Sequence, residues 1–221
     1  MLTLAIDCAL RRINLGAADG EDFLGELSID AGTRQSELLP GAVRDFLAMF
    51  GLTVRDVGHI AVTAGPGYFT GIRVGLSYAA ALAESVGALA SGVSTLRAMA
   101  LPLMEALAAQ GASSVVAPVI PAGRDSFYTA MYGVHPGMTT DGDILLGPSH
   151  IGTVDLFDCL RARANTNNVI ITGSISGLAV EKEPLLAVPP PSVARGVFMA
   201  AASESRADPS EIRAVYLRRP C

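Results

Sequence analysis

The sequence predicts an α/β protein with mixed sheets, in which an antiparallel β-meander is continued by parallel βαβ units. Short apolar runs of strand length alternate along the chain with longer segments whose apolar residues recur at helical spacing. A glycine-rich turn joins one of these runs directly to a long apolar helix. The 221 residues suffice for one large domain or for two lobes of about 100 residues each.

The clearest strand and helix signals lie in the first half of the chain. The apolar run Leu2–Ile6 ends at Asp7 and is typical of a buried strand. The segments Arg12–Ala18 and Asp22–Ile29 alternate apolar and polar residues on either side of Asp19-Gly20, which predicts an opening β-meander. The further elements predicted here are a helix over Thr33–Phe50, a strand over Val57–Val62, a helix over Thr70–Val86, a strand over Ala88–Val93 and a helix over Thr95–Gln110.

The second half of the chain carries weaker signals. Two strand-like runs, Ser114–Ile120 and Ser126–Val134, flank the turn Pro121–Asp125. The Pro189–Pro191 run is a stiff connector at which the chain can return towards the first lobe. We therefore predict an N-terminal lobe over residues 1–100 and a second, divergent lobe over residues 101–221. The other elements predicted are a strand near Ile144, a helix over Val154–Ala164, a strand over Val169–Thr172 and a helix over Ser192–Glu204.

Composition and charge exclude several classes of protein. The net charge of −5 and a pI near 5.2 indicate that the chain as a whole offers no basic face for nucleic acid. Mean hydropathy is high at +0.42, yet the longest uncharged stretch, Ala106–Gly123, is interrupted by polar residues and prolines, which argues against a membrane span. The three widely spaced cysteines are typical of free thiols in a cytoplasmic protein. The apolar excess is expected to be buried in the core or against a partner.

The glycine-rich segment Thr63–Gly71 is a candidate anion site. It leads from a strand end into a helix start, where glycines let the backbone approach a ligand and bare amides can receive a phosphate. The residues that would contact a nucleotide or phosphate are Asp7, Gly65, Gly67 and Thr70. The alternatives are that the glycines only make a tight turn and that Asp7 only stabilises the turn after its strand. No Lys-Ser/Thr pair follows, so the segment is not a Walker loop.

The helix after this turn is apolar over more than the stripe that one sheet requires. Its polar residues Arg73, Ser77 and Glu84 fall within about 40° of one another at 100° per residue, so a second surface is expected to cover the helix. Small residues also recur at every fourth position, forming a ridge that packs either on a partner or on a neighbouring helix of the same chain. The predicted partner-interface residues are Gly71, Arg73, Val74, Gly75, Ser77, Tyr78, Ala79, Leu82 and Ala83.

Charged residues leave two questions open. Arg73 lies in the first turn of the helix, against the helix dipole, which predicts either an acidic group on a partner or an internal salt bridge. The basic C-terminal residues Arg213, Arg218 and Arg219 are either a solvated face or a contact for tRNA.

No catalytic or metal-binding constellation is recognisable in the sequence. The three histidines, His59, His135 and His150, are too scattered to form a local metal pair. The serines lack a nucleophile elbow, and Cys8 has no recognisable activating partner. We therefore predict neither catalytic residues nor an intrinsic metal or cofactor.

Four segments of the chain form a recognisable set: Leu4–Asp7, Gly65–Gly75, Gly92–Leu96 and Tyr216–Arg218. Together they resemble the TsaB (YeaZ) family of the bacterial threonylcarbamoyladenosine system for tRNA. The resemblance runs in order along the chain and is densest over roughly the first hundred residues. It implies an ASKHA (actin/Hsp70-like) fold with two ribonuclease H-like lobes.

The family resemblance also implies a function without catalysis. Such proteins pair with a TsaD-like paralogue, the transferase, and the ATPase TsaE joins the pair. The helices after the opening meander and after the glycine turn supply the dimer surface. On this basis tRNA would be contacted indirectly through the complex, ATP or ADP would be compatible with the complex interface, and a homodimer with the isolated chain.

The sequence departs from the family pattern where polar chemistry is expected. The usual Asp-Thr-Ser is Asp7-Cys8-Ala9, the usual His-Ser-Glu is Gln35-Ser36-Glu37, and the usual Asp-Ala-Arg is Pro121-Ala122-Gly123. The changes remove titratable or hydroxyl groups and keep packing intact, and Tyr68 in place of Ser makes the glycine turn bulkier. These departures weaken the prediction of a nucleotide site within this subunit.

Two alternatives to a docking subunit stay open at this point. The first is an ASKHA-type phosphotransferase or ATPase acting on its own, for which Asp7 and the turn Gly65–Gly71 would have to bind nucleotide. The second is a homodimeric binding module that uses the same apolar helix on itself.

Overall fold

The computed structural model describes residues 1–138, 142–165, 167–173, 185–190, 192–204, 208–215 and 217. The strands are β1 (Leu2–Asp7), β2 (Arg12–Asp19), β3 (Asp22–Asp30), β4 (Val57–Gly65), β5 (Leu89–Ser94), β6 (Ser114–Gly123), β7 (Ser126–Val134), β8 (Asp143–Gly152), β9 (Asn168–Gly173) and β10 (Leu186–Val188). The helices are α1 (Gln35–Ala48), α2 (Phe69–Val86), α3 (Thr95–Ala109), α4 (Thr153–Ala164) and α5 (Val193–Ala201), with 3-10 turns at Val54–Asp56 and Pro209–Glu211.

The chain divides into two compact units. The first combines Met1–Ala98 with the late segment Val193–Val215, and the second contains Met99–Ser192. The sequence placed a boundary at residue 100 and a return of the chain after the proline run. The first unit is accordingly built from two separate stretches of chain.

The first unit is a five-stranded mixed sheet in the order β3-β2-β1-β4-β5. The β1–β2 and β2–β3 pairs are antiparallel, whereas β1–β4 and β4–β5 are parallel, so the predicted meander continued by βαβ units is confirmed. Leu4 and Ile6 of β1 face the core that α1 and α2 complete. Ala5 pairs with Gly16 on the opposite face, where a Cβ at Gly16 would lie 3.2 Å from Ala194 of α5. The sheet is therefore covered by helices on both faces.

The second unit contains a sheet in the order β10-β9-β6-β7-β8. The β6–β7 and β7–β8 pairs are antiparallel, and β9 runs parallel to both β6 and β10. Leu156 and Leu160 of α4 are buried in a core with apolar residues of β6, β7 and β9. Each unit is thus an α/β lobe with a mixed sheet, as predicted.

Most element types agree with the sequence prediction, and the differences have local causes. Strand β10 was missed because its three residues carry too short an apolar signal. Residues Pro121–Gly123, predicted as part of a turn, continue β6, since Pro121 still pairs with Phe127 across the hairpin. None of the helices in the described part of the chain is long and apolar enough to cross a membrane.

Candidate functional site

The glycine turn between β4 and α2 packs directly on the segment that follows β1. The Tyr68 amide, which could have received a phosphate, donates to the carbonyl oxygen of Ala9 at 2.7 Å. A Cβ at Gly67 would lie 2.6 Å from that same oxygen, so only glycine allows this approach. In this arrangement Gly67 allows two segments of the same chain to pack closely.

Asp7 is fully buried at the end of β1, and both of its carboxylate oxygens are occupied. Oδ1 accepts from the Ala9 amide at 3.0 Å and from the Thr63 hydroxyl at 2.8 Å. Oδ2 accepts from Nδ2 of Asn14 at 2.7 Å. Burial raises the pKa of the Asp7 carboxyl, and the hydrogen bonds from Asn14, Thr63 and Ala9 oppose this in part. Asp7 therefore has the turn-stabilising role that the sequence left as an alternative.

These contacts correct the predicted phosphate site. Asp7 has no free oxygen, and Gly67 lies against Ala9. Gly65 is covered by the late segment of the chain, because the Val215 amide donates to the Ala64 carbonyl at 2.6 Å and a Cβ at Gly65 would lie 2.6 Å from the Val215 carbonyl oxygen. For Thr70, which is exposed at the start of α2, the phosphate contact stays a prediction.

The ridge of small residues on α2 packs inwards, which corrects four of the predicted interface residues. A Cβ at Gly71 would overlap the carbonyl oxygen of Cys8, and one at Gly75 would lie 3.5 Å from both Cys8 Cβ and Val62 Cγ2. The ridge lets α2 approach the chain's own sheet. The sequence had instead predicted that the ridge packs on a partner or on a neighbouring helix. The buried residues that cannot face a partner are Gly71, Gly75, Ala79 and Ala83.

The other predicted interface residues reach the surface. Arg73 and Ser77 are exposed, while Val74, Tyr78 and Leu82 are half-buried against the core. Partial burial raises the pKa of Tyr78. A groove of about 440 Å³ runs here between α1 and α2. We call its lining the α1–α2 face, which consists of Ser36, Leu39, Pro40, Phe69, Thr70, Arg73, Val74, Ser77 and Tyr78.

Aromatic rings hold two arginines at the start of α2. The Arg73 guanidinium lies 5.4 Å from the centroid of the Phe69 ring, and that of Arg11 lies 4.5 Å from the Tyr68 ring. Arg73 has no carboxylate partner among the residues that the structure describes. An acidic group on a partner therefore stays the open alternative for Arg73.

Gln35 of α1 and Asn14 of β2 stabilise the glycine turn and the end of β1, a role that the sequence did not predict. Gln35 Nε2 donates to the Cys8 carbonyl at 2.8 Å and to the Arg12 carbonyl at 2.9 Å. The Ser28 hydroxyl donates to Asn14 Oδ1 at 2.6 Å, which orients the amide that binds Asp7. An asparagine near the start of an otherwise apolar strand was the signal that could have identified Asn14.

His59 lies in the first unit, whereas His135 and His150 lie in the second. His59 is buried in β4 with Nε2 2.9 Å from the Ser91 hydroxyl and Nδ1 3.4 Å from that of Thr3. His150 packs on the Tyr128 ring in the second unit. Within the described ranges, no three metal-binding side chains cluster in a way that could hold an ion.

Cys8 provides a test of how tightly this turn is packed. It is buried, and burial together with the Asp7 charge raises the pKa of its thiol, whereas Cys159 is exposed. In a Cys221→Ser background, we expect a thiol reagent at neutral pH to label Cys159 quickly and Cys8 only after unfolding. Mass spectrometry of the labelled peptides distinguishes the two sites. Rapid labelling of Cys8 in the folded protein would contradict the close packing of the turn.

Comparison with known proteins gives a family. The family model described as "TsaD: tRNA N6-adenosine threonylcarbamoyltransferase" matches residues 29–183, more than half of the chain. The tRNA threonylcarbamoyladenosine biosynthesis protein TsaB of Bacillus subtilis is 29% identical over 140 residues, covering 62% of this chain and 58% of the relative. The TsaB protein of Escherichia coli is 32% identical over 100 residues, covering 45% and 43%. The chain spans about half the length of the curated relatives it matches.

Solved structures match the whole fold. A Pseudomonas aeruginosa protein described as similar to peptidase YEAZ superposes with a TM-score of 0.78 at 23% identity, covering 98% of this chain and 99% of that one. YeaZ from the same organism gives 0.70 at 22% identity, with the same coverage. These matches and the two mixed-sheet lobes confirm the predicted ASKHA-like fold. The chain belongs to the family of the TsaD model and, within it, to the TsaB (YeaZ) proteins.

Proposed function

We propose that this chain is a docking subunit of the assembly that forms threonylcarbamoyladenosine in tRNA. In this role it binds a TsaD-type transferase and does not itself carry out the transfer. Its family supports this reading, since its relatives in Bacillus subtilis and Escherichia coli are named for the biosynthesis of that nucleoside. A TsaE-type ATPase is the third member expected in the assembly.

The observation that carries the proposal is the open α1–α2 face. Two helices of the first unit leave a groove of about 440 Å³ between them, with half-buried Val74 and Tyr78 in its wall and exposed Phe69 at one end. Apolar and aromatic side chains around an exposed arginine are the composition that protein interfaces favour. The face is shaped to receive a protein surface that carries an acidic group for Arg73.

The packing of the glycine turn supports a role without catalysis. A phosphotransferase would need Asp7 and the Tyr68 amide to bind its nucleotide. Here both groups form hydrogen bonds with Asn14, Thr63 and Ala9. ATP or ADP, on this proposal, binds where the two proteins meet. The net charge of −5 favours indirect contact with tRNA, through the transferase.

A single substitution on the α1–α2 face tests the proposal. Ser77 is exposed at the middle of this part of α2, so Ser77→Arg adds bulk and charge without disturbing the core. We expect the Kd for the cognate TsaD-type transferase to rise more than about tenfold, because a long charged side chain prevents close contact at the centre of an interface. Co-purification and calorimetric titration of the two proteins measure the loss, and modification of tRNA in the reconstituted system should fall with it.

The matched control is Ala162→Arg, an exposed helix position on α4 of the second unit. This variant should bind the transferase like the wild type. Equal binding by Ser77→Arg and wild type would refute docking through this face. Binding and hydrolysis of ATP by the isolated wild-type chain would favour the independent ATPase or phosphotransferase instead.

A further inference from the structure

A second cavity of the first unit lies on the α5 side of its sheet. Its volume is about 380 Å³, within the range of pockets that bind small molecules. The lining comes from the starts of β1 and β4, the β2–β3 turn and the C-terminal end of α5. Successive strand residues face opposite sides of a sheet, so Thr3 faces α5 while Leu4 packs in the core with α1 and α2. The cavity is therefore separated by the sheet from the α1–α2 face.

Two buried polar side chains form the inner end of the cavity. Thr3 and His59 are register partners on β1 and β4, and they are only 5% and 2% exposed. Thr3 Oγ1 lies 3.4 Å from His59 Nδ1, and His59 Nε2 lies 2.9 Å from the Ser91 hydroxyl. A hydroxyl oxygen has two lone pairs, so Thr3 Oγ1 can still accept a hydrogen bond from a ligand.

The mouth of the cavity is negative. Glu21 of the β2–β3 turn is exposed and has no cationic partner among the residues that the structure describes. The amino group of Met1 is paired with Asp19 at 2.8 Å, so it leaves the Glu21 charge uncompensated. Helix α5 ends at Ala201, which lines the cavity together with Ala202. The partial negative charge of a helix C-terminus adds to that of Glu21, and both favour a cation.

An aromatic ring forms part of the cavity wall. Phe198 of α5 is half-buried, and the centroid of its ring lies 6.1 Å from that of Phe23. This contact restricts the position of the Phe198 ring. Aromatic rings pack on other rings and attract cations, so Phe198 suits a ligand with an aromatic body.

We propose that this cavity binds a small aromatic cation. The ammonium group of the ligand pairs with Glu21 at the mouth, the ring packs on Phe198, and a hydrogen-bond donor at the far end of the ring reaches Thr3 Oγ1. A transferase on the α1–α2 face and the cation can be bound at the same time, because the sheet lies between the two sites. The binding does not depend on the proposed function, since it requires only this chain.

Tyramine is a probe with all three features, and calorimetric titration of the full chain at neutral pH measures its binding. We expect a saturable Kd of about 1 mM, an affinity in keeping with the size of this ligand. Tyrosol carries a neutral hydroxyl in place of the ammonium and should bind about fivefold more weakly or worse. Phenethylamine lacks the phenolic hydroxyl and should also bind more weakly, because it cannot donate to Thr3.

Three variants locate the bound probe. Glu21→Gln should raise the Kd for tyramine about fivefold and remove most of its advantage over tyrosol. Ala202→Trp should abolish binding, because the indole ring fills the mouth of the cavity. The matched control is Asp22→Asn, a neighbouring exposed carboxylate that does not line the cavity, and it should bind tyramine like the wild type. All three positions are exposed, and circular dichroism verifies the fold of each variant.

Several results would overturn the proposal. These are no saturable binding of tyramine up to about 20 mM, equal affinity for tyramine and tyrosol, or unchanged binding by Glu21→Gln or Ala202→Trp. Equal affinity for tyramine and phenethylamine would refute the contact with Thr3. Failure of this site would leave docking of a transferase intact, because the Ser77→Arg titration measures that proposal separately.

Discussion

Replacing Gly71 by alanine is expected to destabilise the protein by about 3 kcal/mol or more, or to prevent folding. A Cβ at this position would overlap the Cys8 carbonyl oxygen and would lie 2.7 Å from Oε1 of Gln35. The Cys8 carbonyl oxygen belongs to the backbone, so it cannot move away by a rotamer change as a side chain can. Because Gly71 is the point at which α2 approaches the end of β1, the added methyl group would push the start of the helix away from the sheet.

The control for this substitution lies in the neighbouring helix. Gly41 is inside α1 with no atom within 4 Å of a Cβ built on it, so Gly41→Ala should be neutral or stabilise by up to about 1 kcal/mol. Urea unfolding of both variants measures the difference. Similar stabilities for Gly71→Ala and Gly41→Ala would show that the close approach of α2 to Cys8 is wrong.

Removing the Asp7 carboxylate should be comparably severe. Asp7→Ala leaves the Ala9 amide, the Thr63 hydroxyl and Nδ2 of Asn14 buried without their acceptor. Each unsatisfied buried donor costs about 1–3 kcal/mol, so we expect a total loss of roughly 3 kcal/mol or more. The measurement is the free energy of unfolding in urea at neutral pH.

Asp7→Asn separates hydrogen bonding from charge. The new amide can donate to Asn14 if the Asn14 side chain rotates its own amide towards Ser28, whose hydroxyl can accept. We therefore expect a loss of only about 1 kcal/mol at neutral pH. A loss as large as that of Asp7→Ala would contradict this rearrangement of the network.

The wild type and Asp7→Asn also differ in how their free energy of unfolding depends on pH. Burial raises the folded-state pKa above the ordinary value of 3.8, so the folded protein holds this proton more tightly than the unfolded chain does. The contribution of Asp7 to stability therefore falls as the pH rises from 3.8 through the folded-state pKa, and Asp7→Asn lacks this term. Unfolding measured between about pH 3 and pH 7 should show the variant gaining on the wild type as the pH rises. A constant or opposite difference would mean that the hydrogen bonds outweigh burial.

The sequence predicted the framework because local patterns determine it. Alternation defined β2 and β3, and continuous apolar runs defined β1 and β4, neither of which is an edge strand of the sheet. The helical spacing of apolar residues likewise predicted α1 and α2, without knowledge of the elements on which they pack. Strand β10 escaped because a strand of three residues forms only when a partner, here β9, is already in place.

The candidate site was harder to predict because the residue types at these positions are compatible with two different contacts. Gly71 and Gly75 could have formed a ridge for a partner or for the chain's own sheet, and only the positions of Cys8 and Val62 decide between them. Gly67 could equally have admitted a phosphate or a neighbouring carbonyl. The periodicity of α2 marked the exposed Arg73 and Ser77 correctly as one stripe, since that depends on helix geometry alone.

The division of the first unit between two stretches of chain has a consequence for folding during synthesis. Strands β1 to β5 leave the ribosome early, but the helix that covers one face of their sheet, α5, begins only at Val193. Until its buried residues Val197 and Ala200 arrive, that apolar face has no cover from α5. We expect the stretch Met99–Ser192 of the second unit to fold while the sheet of the first unit waits for α5. Chains halted before residue 193 should accordingly depend on chaperones that shield apolar surface.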